Sequence, residues 1–214
     1  KQNSPILVIS KFCKKEENRK FLSHLGVTDF LDKPFTDFDL NHKLIKFRKD
    51  HFRQKELELI EIDPNLVLVV PGGKVTMFFA IMMFGEPGAE IIYPNPGFPI
   101  YESVIKFSGA KAVPMSLHET NSFSFSADEV LGLINANTRL LIINSPANPT
   151  GGYVLREELD KLVSGLEKFP QVAVLSDEIY SRMLYGGRQH VSLIEYESLR
   201  DRLILLDGWS KTYA

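Results

Sequence analysis

The chain has 214 residues, of which 44% are hydrophobic and 24% are charged, as in an ordinary globular protein. Its formal net charge of −2 gives no reason to expect nucleic acid or an acidic membrane surface as a partner. The single cysteine, Cys13, excludes a disulfide within the chain and favours a reducing, cytoplasmic setting. The apolar run over residues 5–9 is too short for a signal peptide core or a membrane span.

The first sixty residues predict two strands, over 5–10 and 28–32, each followed by a helix, over 16–25 and 37–59. Such an order favours a parallel sheet. The sequence PILVIS, followed by EENRKFLSHLGVTDFLDKPF, resembles the C-terminal half of a response-regulator receiver domain, with Ser10 and Lys33 at two of its characteristic positions. The resemblance implies a flavodoxin-like half domain and a linking helix over residues 1–60. The acidic residues that phosphotransfer requires in that family have no counterpart in the sequence.

The remaining residues, 61–214, alternate between apolar runs typical of strands and amphipathic or apolar stretches typical of helices. Strands are predicted over 66–70, 90–93, 111–117, 139–144, 172–175 and 203–206, and helices over 75–84, 98–108 and 156–169. A further helix is predicted to begin after Ser126, which forms a capping-box pattern with Glu129. We therefore predict an α/β fold of three layers, α/β/α, with a mostly parallel sheet.

Polar turns follow several of these strands. Gly72, Gly73 and Lys74 join a predicted strand to a helix, where free backbone N–H groups and the helix field suit a phosphate. The same sequence also fits a plain tight turn. Phe98, after another strand, has the shape to stack on a flat ring or simply to pack in the core.

Two further strand ends carry polar side chains. Asn148 lies in the motif Asn-Pro-Thr-Gly and is suited either to donating a hydrogen bond to a ligand or to forming the turn. Asp177, in Ser-Asp-Glu-Ile-Tyr, places a carboxylate near the sheet interior, where it needs a cationic partner. Tyr180 lies three residues later and is able to point to the same side.

The last strand leads into Gly-Trp-Ser-Lys, which places Ser210 and Lys211 just beyond its C-terminal end. Ligands of open α/β sheets bind at this edge. A partly desolvated lysine there is able to attack a carbonyl and form a Schiff base, whereas most loop lysines are only solvated surface residues. Taken together, the strand-end residues match the needs of pyridoxal phosphate, which uses a lysine and an acidic partner for its ring nitrogen.

The order and spacing of NPTG, SDEIY and SK over residues 62–214 resemble the large domain of fold-type I aminotransferases of the aspartate-aminotransferase-like class. The resemblance implies transfer of an amino group between an amino acid and a 2-oxo acid, no metal, and commonly a homodimer. Catalytic roles are implied for Lys211, which forms the Schiff base, and for Asp177 and Tyr180. The cofactor-binding residues that it implies are Gly73, Lys74, Phe98, Asn148, Asp177, Tyr180, Ser210 and Lys211.

The resemblance also implies that the family's small C-terminal domain, with the arginine that binds the substrate carboxylate, is not within this sequence. We therefore expect residues 61–214 to form a C-terminally truncated large domain, and we expect this chain by itself to turn over substrate poorly. Together with the receiver-like segment, the chain would be a fragment or a chimera. Two alternatives stay open. One is a noncatalytic signalling or scaffold α/β hybrid, and the other is a chain that folds without binding the cofactor.

Overall fold

The computed structural model describes residues 7–9, 29–31, 60 and 62–213. The chain divides into two compact units, residues 1–68 and 69–214. In the first unit, β1 (Leu7–Ile9) and β2 (Asp29–Leu31) pair in parallel. The helices predicted over 16–25 and 37–59, and the positions of Ser10 and Lys33, lie outside the described residues. The flavodoxin-like character of this segment and the domain boundary at residue 60 stay predictions.

The second unit contains five strands and four α-helices among its described residues. In chain order they are α1 (Gly73–Phe84), β3 (Glu90–Asn95), α2 (Ile100–Ser108), β4 (Lys111–Ser116), α3 (Ala127–Leu133), β5 (Thr138–Asn144), α4 (Arg156–Leu166), β6 (Ala173–Asp177) and β7 (Leu203–Leu206). The five strands form one sheet in the order β4-β3-β5-β6-β7, and every pairing is parallel. The predicted parallel sheet is therefore confirmed.

The central strand β5 shows why the apolar runs become strands. Leu140, Leu141, Ile142 and Ile143 are all buried, with at most 2% of each exposed. Since successive side chains of a strand point to opposite faces, a continuous apolar run is stable only where both faces are covered. Such a strand belongs in the interior of a three-layer fold.

The two faces of the sheet carry separate hydrophobic clusters. On one face, Ile142 packs with residues of α1 and α2, among them Ile81 and Ile105. On the other face, Ile143 packs with residues of α3 and α4, including Leu162. The predicted α/β/α layering is thus confirmed.

The strand predicted over 66–70 is wrong. Residues Pro64–Leu66 form a short 3-10 helix, and the following residues join no strand that the structure describes. The apolar side chains of residues 66–69 are exposed, Leu68 by 84%. The run has the composition of a buried strand but lacks the neighbouring strand whose hydrogen bonds would make it one.

Parallel pairing brings the C-terminal ends of the strands to a single edge of the sheet. Asn144 of β5 lies opposite Asp177 of β6, and Asp177 lies opposite Leu206 of β7. Polar residues at these ends are thereby brought together. None of the helices described in residues 62–213 has the length and apolar character needed to cross a membrane.

Candidate active site at the C-terminal edge of the sheet

The turn before α1 is shaped by two glycines. Gly72 caps the helix with a φ of 98°, a conformation that favours glycine. A Cβ at Gly73 would lie 3.3 Å from Cδ2 of Leu206, so this small residue lets the helix start closely approach the end of β7. The first N–H groups of a helix have no acceptor within it, and those of Gly73 and Lys74 are of this kind. The turn thus offers backbone donors beside the last strand.

Phe98 lies between β3 and α2 and is half-buried. Its ring meets that of Tyr101 edge-to-face, with centroids 6.1 Å apart. The ammonium of Lys74 lies 6.0 Å from the Phe98 centroid. Phe98 therefore connects the glycine turn to the side chains around Asp177.

The loop after β5 is anchored by the buried side chain of Asn144. Its Oδ1 accepts a hydrogen bond from the backbone N–H of Asn148 at 2.8 Å, and its Nδ2 donates to the backbone carbonyl of Asp177 at 3.1 Å. Asn144 thereby fixes the Asn-Pro-Thr-Gly loop against β6. The side-chain amide of Asn148 forms no hydrogen bond within the described part of the chain, which leaves it available to a ligand.

Asp177 is the last residue of β6 and is only 2% exposed. Its Oδ2 accepts a hydrogen bond from the Tyr101 hydroxyl at 2.5 Å, and its Oδ1 accepts one from the backbone N–H of Ile179 at 3.3 Å. No lysine, arginine or histidine among residues 62–213 forms an ion pair with it. Burial raises the pKa of this carboxyl, and the nearby carboxylates of Glu178 and Asp207 add to that rise.

Tyr180 follows three residues after Asp177 and is half-buried. It packs at the margin of the same hydrophobic cluster that contains Tyr101 and borders Phe98. The prediction that Tyr180 shares the side of the sheet occupied by these residues agrees with this packing.

Ser210 and Lys211 lie in the turn that follows β7, which is closed by a hydrogen bond of 2.8 Å from the Tyr213 N–H to the Trp209 carbonyl. Both side chains are exposed. Neither forms a hydrogen bond or an ion pair with the residues the structure describes. Contacts therefore link Lys74, Phe98, Asp177 and, through Asn144, Asn148. Ser210 and Lys211 follow the strand at the same edge but form no hydrogen bond or ion pair with these residues.

Two residues of this arrangement are missed by sequence reasoning. Asn144 is a polar residue at the end of a buried apolar run, and this position is a signal by which the sequence could have identified it. Tyr101 reaches Asp177 across 76 positions of sequence. The only local sign of Tyr101 is its position three residues after Phe98, which is not specific. Its role depends on the tertiary fold.

A family model for aminotransferases of class I and II matches residues 13–214. This match includes most of the segment with the receiver-like resemblance, which gains no support from it. The aspartate aminotransferase of Pyrococcus abyssi is 31% identical over 161 residues, which are 75% of this chain and 41% of that protein. The aspartate aminotransferase of Streptomyces avermitilis is 34% identical over 156 residues, or 72% of this chain and 38% of the relative.

Solved structures agree with these relatives. The aspartate aminotransferase of Rhizobium meliloti superposes with a TM-score of 0.69 and 27% identity, over 78% of this chain and 41% of that one. An aromatic aminotransferase from Pyrococcus horikoshii gives a TM-score of 0.68 and 27% identity, over 79% of this chain and 44% of that one. The chain thus spans less than half the length of these relatives. On the family match and the shared fold, it belongs to the class I and II aminotransferases, which are pyridoxal-phosphate-dependent enzymes of fold type I.

Proposed function

We propose that the chain is the cofactor-binding part of an enzyme that transfers an amino group between an amino acid and a 2-oxo acid with pyridoxal phosphate. The observation that carries the proposal is the environment of the Asp177 carboxyl. It is a buried carboxyl without a cationic partner among residues 62–213, and burying such a group is costly unless something pairs with it. A protonated pyridine nitrogen is a cation of the size and flatness that would satisfy it.

The other residues at the edge fit the remaining parts of the cofactor. The amides of Gly73 and Lys74, with the hydroxyl of Ser210, would hold the phosphate at the start of α1. Phe98 would lie against the ring. The amide of Asn148 and the hydroxyl of Tyr180 would donate hydrogen bonds to the ring's phenolic oxygen.

Bound in this way, the cofactor supplies an electron sink that weakens the bonds at the substrate's α-carbon. The protein's own contribution is to keep the ring nitrogen protonated through Asp177 and to orient the ring. The amine of Lys211 would hold the cofactor covalently and then move a proton at the α-carbon. The exposed position of Lys211, with no partner in the described part of the chain, leaves its amine free for this role.

The test is covalent labelling of the whole chain. We would add pyridoxal phosphate, reduce with borohydride and locate the adduct by mass spectrometry. A single adduct on Lys211, absent from Lys211→Ala, is the expected result. Lys168→Ala, which removes another lysine, serves as the matched control and should leave the labelling unchanged. Scattered adducts, or none, would favour a noncatalytic scaffold.

We also propose a cytoplasmic location and a homodimer. The single cysteine supports the first. The second is supported by apolar side chains that α1 and α2 leave exposed, namely Phe79, Met83 and Phe107.

A further inference from the structure

The hydrogen bond between Tyr101 and Asp177 lies inside the fold rather than at its surface. Tyr101 is fully buried, and Asp177 is nearly so. Tyr101 belongs to the first turn of α2, and Asp177 ends β6, so the bond joins a helix on one face of the sheet to a strand end. A bond in this place fixes the orientation of the carboxyl group.

The bond also acts on the charge of Asp177. A hydroxyl that donates to a carboxylate stabilises its ionised form, because the neutral acid is a weaker acceptor. Burial and the carboxylates of Glu178 and Asp207 act in the opposite direction. Among residues 62–213, the donors to the Asp177 carboxyl are the Tyr101 hydroxyl and the Ile179 amide, one for each oxygen, and of these only Tyr101 is a side chain.

We propose that Tyr101 is a positioning residue that holds the Asp177 carboxylate ionised and aimed at the ring nitrogen of a pyridine cofactor, an inference that rests on the proposed function. Each oxygen of the Asp177 carboxyl accepts one hydrogen bond from the described part of the chain. Each therefore keeps an acceptor site for a cationic N–H. Tyr101 itself does not need to touch the cofactor, since it acts through Asp177.

The groups that face Asp177 define what a titration would measure. Within the described ranges, these titratable groups are the hydroxyl of Tyr101 and the carboxyls of Asp207 and Glu178. Tyr180 lies close to Tyr101 on the same side. Burial and the Asp177 charge raise the pKa of the Tyr101 hydroxyl, so that it stays protonated and remains a donor at every pH of interest.

The chain offers a matched control. Tyr196 also donates its hydroxyl to an aspartate, Asp160, at 2.6 Å, and Asp160 is exposed on α4. Tyr196 packs against the hydrophobic cluster on the opposite face of the sheet from Tyr101, so Tyr196→Phe removes a bond of the same kind away from the candidate site. Tyr101→Phe deletes one oxygen and keeps the ring that fills the core.

The first measurement needs no cofactor. We would label the aspartate carboxyls of the full chain with ¹³C, assign Asp177 by its loss in Asp177→Asn, and follow its NMR shift with pH. In Tyr101→Phe the midpoint should rise, because a group that favours the carboxylate is gone, whereas Tyr196→Phe should leave it in place. A fluorinated tyrosine at position 101, a stronger donor, should lower it. Unchanged midpoints in both Tyr101 variants would overturn the proposal.

The second measurement is the affinity for pyridoxal phosphate across acidic to neutral pH. Loss of one hydrogen bond to a charged group predicts binding about tenfold weaker in Tyr101→Phe. The loss should be largest at acidic pH, where Asp177 in the variant is most protonated. A loss that is equal at every pH would reflect packing alone and would contradict the proposal. A wild-type chain without affinity would instead overturn the proposed function, and the NMR titration would still decide whether Tyr101 holds Asp177 ionised.

Discussion

Among single residues, Asp177 shows the clearest conflict between stability and function. Its pKa in the folded chain is raised by burial above the value in the unfolded chain. A raised carboxyl pKa favours folding at acidic pH, and that contribution is lost as the pH rises through the folded-state value. At neutral pH, therefore, the ionised Asp177 reduces the free energy of unfolding of the cofactor-free protein.

Asp177→Asn should consequently stabilise the cofactor-free chain. With its oxygen accepting from Tyr101, the amide turns its NH2 toward the Ile179 N–H and loses that long bond of 3.3 Å, but no buried charge remains. Removal of the charge outweighs the lost bond at neutral pH, so we expect a net gain of about 1 kcal/mol there and a smaller gain in acid. Urea unfolding at two pH values measures this difference. Asp160→Asn, at an exposed site, is the control and should show little pH-dependent gain. A variant less stable than wild type at neutral pH would contradict the argument.

The sequence alone suggests the residues proposed for the candidate site because each lies a few residues after an apolar run. Gly73 begins α1, Asp177 ends β6 and Lys211 lies in the turn after β7, and local patterns mark all three places well. Tyr101 could not be predicted, because its partner is a residue brought near only by packing of α2 on the sheet. The order of motifs thus indicates the C-terminal edge of the sheet, whereas the side-chain contacts at that edge can be identified only from the folded structure.

At the scale of elements, the same kind of apolar run has two outcomes. Residues 203–206 form β7 because β6 lies beside them and supplies hydrogen-bond partners. Residues 66–70 are equally apolar but join no described strand, and the side chains of residues 66–69 are exposed. Periodicity and composition describe the run itself, and they carry no information about its neighbour.

The start of α3 also depends partly on a contact that the local sequence pattern does not contain. Ser126 caps α3 as predicted, with its hydroxyl accepting from the Glu129 N–H at 3.5 Å. The next free amide, that of Ala127, is bonded instead by Glu158 of α4 at 2.7 Å. A helix distant in sequence thus takes part in the cap.

The side chain of Arg202 fixes the segment that connects α4 to β6. Its guanidinium donates to the carbonyls of Leu166, Phe169 and Val172, between the end of α4 and the start of β6. Arg202→Ala would remove three charge-assisted bonds, although the Leu166 and Phe169 carbonyls keep the backbone N–H groups of Phe169 and Val172 as donors. We therefore expect the free energy of unfolding to fall by about 2 kcal/mol. Chemical denaturation measures the loss.

Arg200→Ala is the matched control, since Arg200 donates one exposed bond, to the Ile194 carbonyl. It should cost less than about 1 kcal/mol. Arg202→Lys should recover only part of the loss, because an ammonium lacks the planar fork of donors. Equal losses in the two alanine variants would show that the three bonds of Arg202 add no more to the free energy of unfolding than the exposed bond of Arg200.

For the whole molecule, the relevant feature is a face that the second unit leaves uncovered. α1 is apolar around its circumference, but only Met77, Ala80 and Ile81 are buried. Phe78 contacts both Phe79 and Phe107, with ring centroids 5.5 and 6.4 Å apart, so the exposed side chains form one continuous patch with Met83 nearby on α1. Patches of this kind commonly mark interaction surfaces.

If a second copy covers this patch, dimerisation should depend on it. Burying a large apolar side chain contributes about 1.5–3 kcal/mol, so Phe79→Ser together with Met83→Ser should weaken the dimer by more than tenfold. Sedimentation over a range of protein concentrations measures the change, and Leu155→Ser, an exposed apolar residue just before α4, is the control. A wild-type chain that stays monomeric at every concentration would refute the homodimer. A dimer insensitive to the double substitution would place the interface on another face, because removing two exposed apolar side chains from a buried contact cannot leave its affinity unchanged.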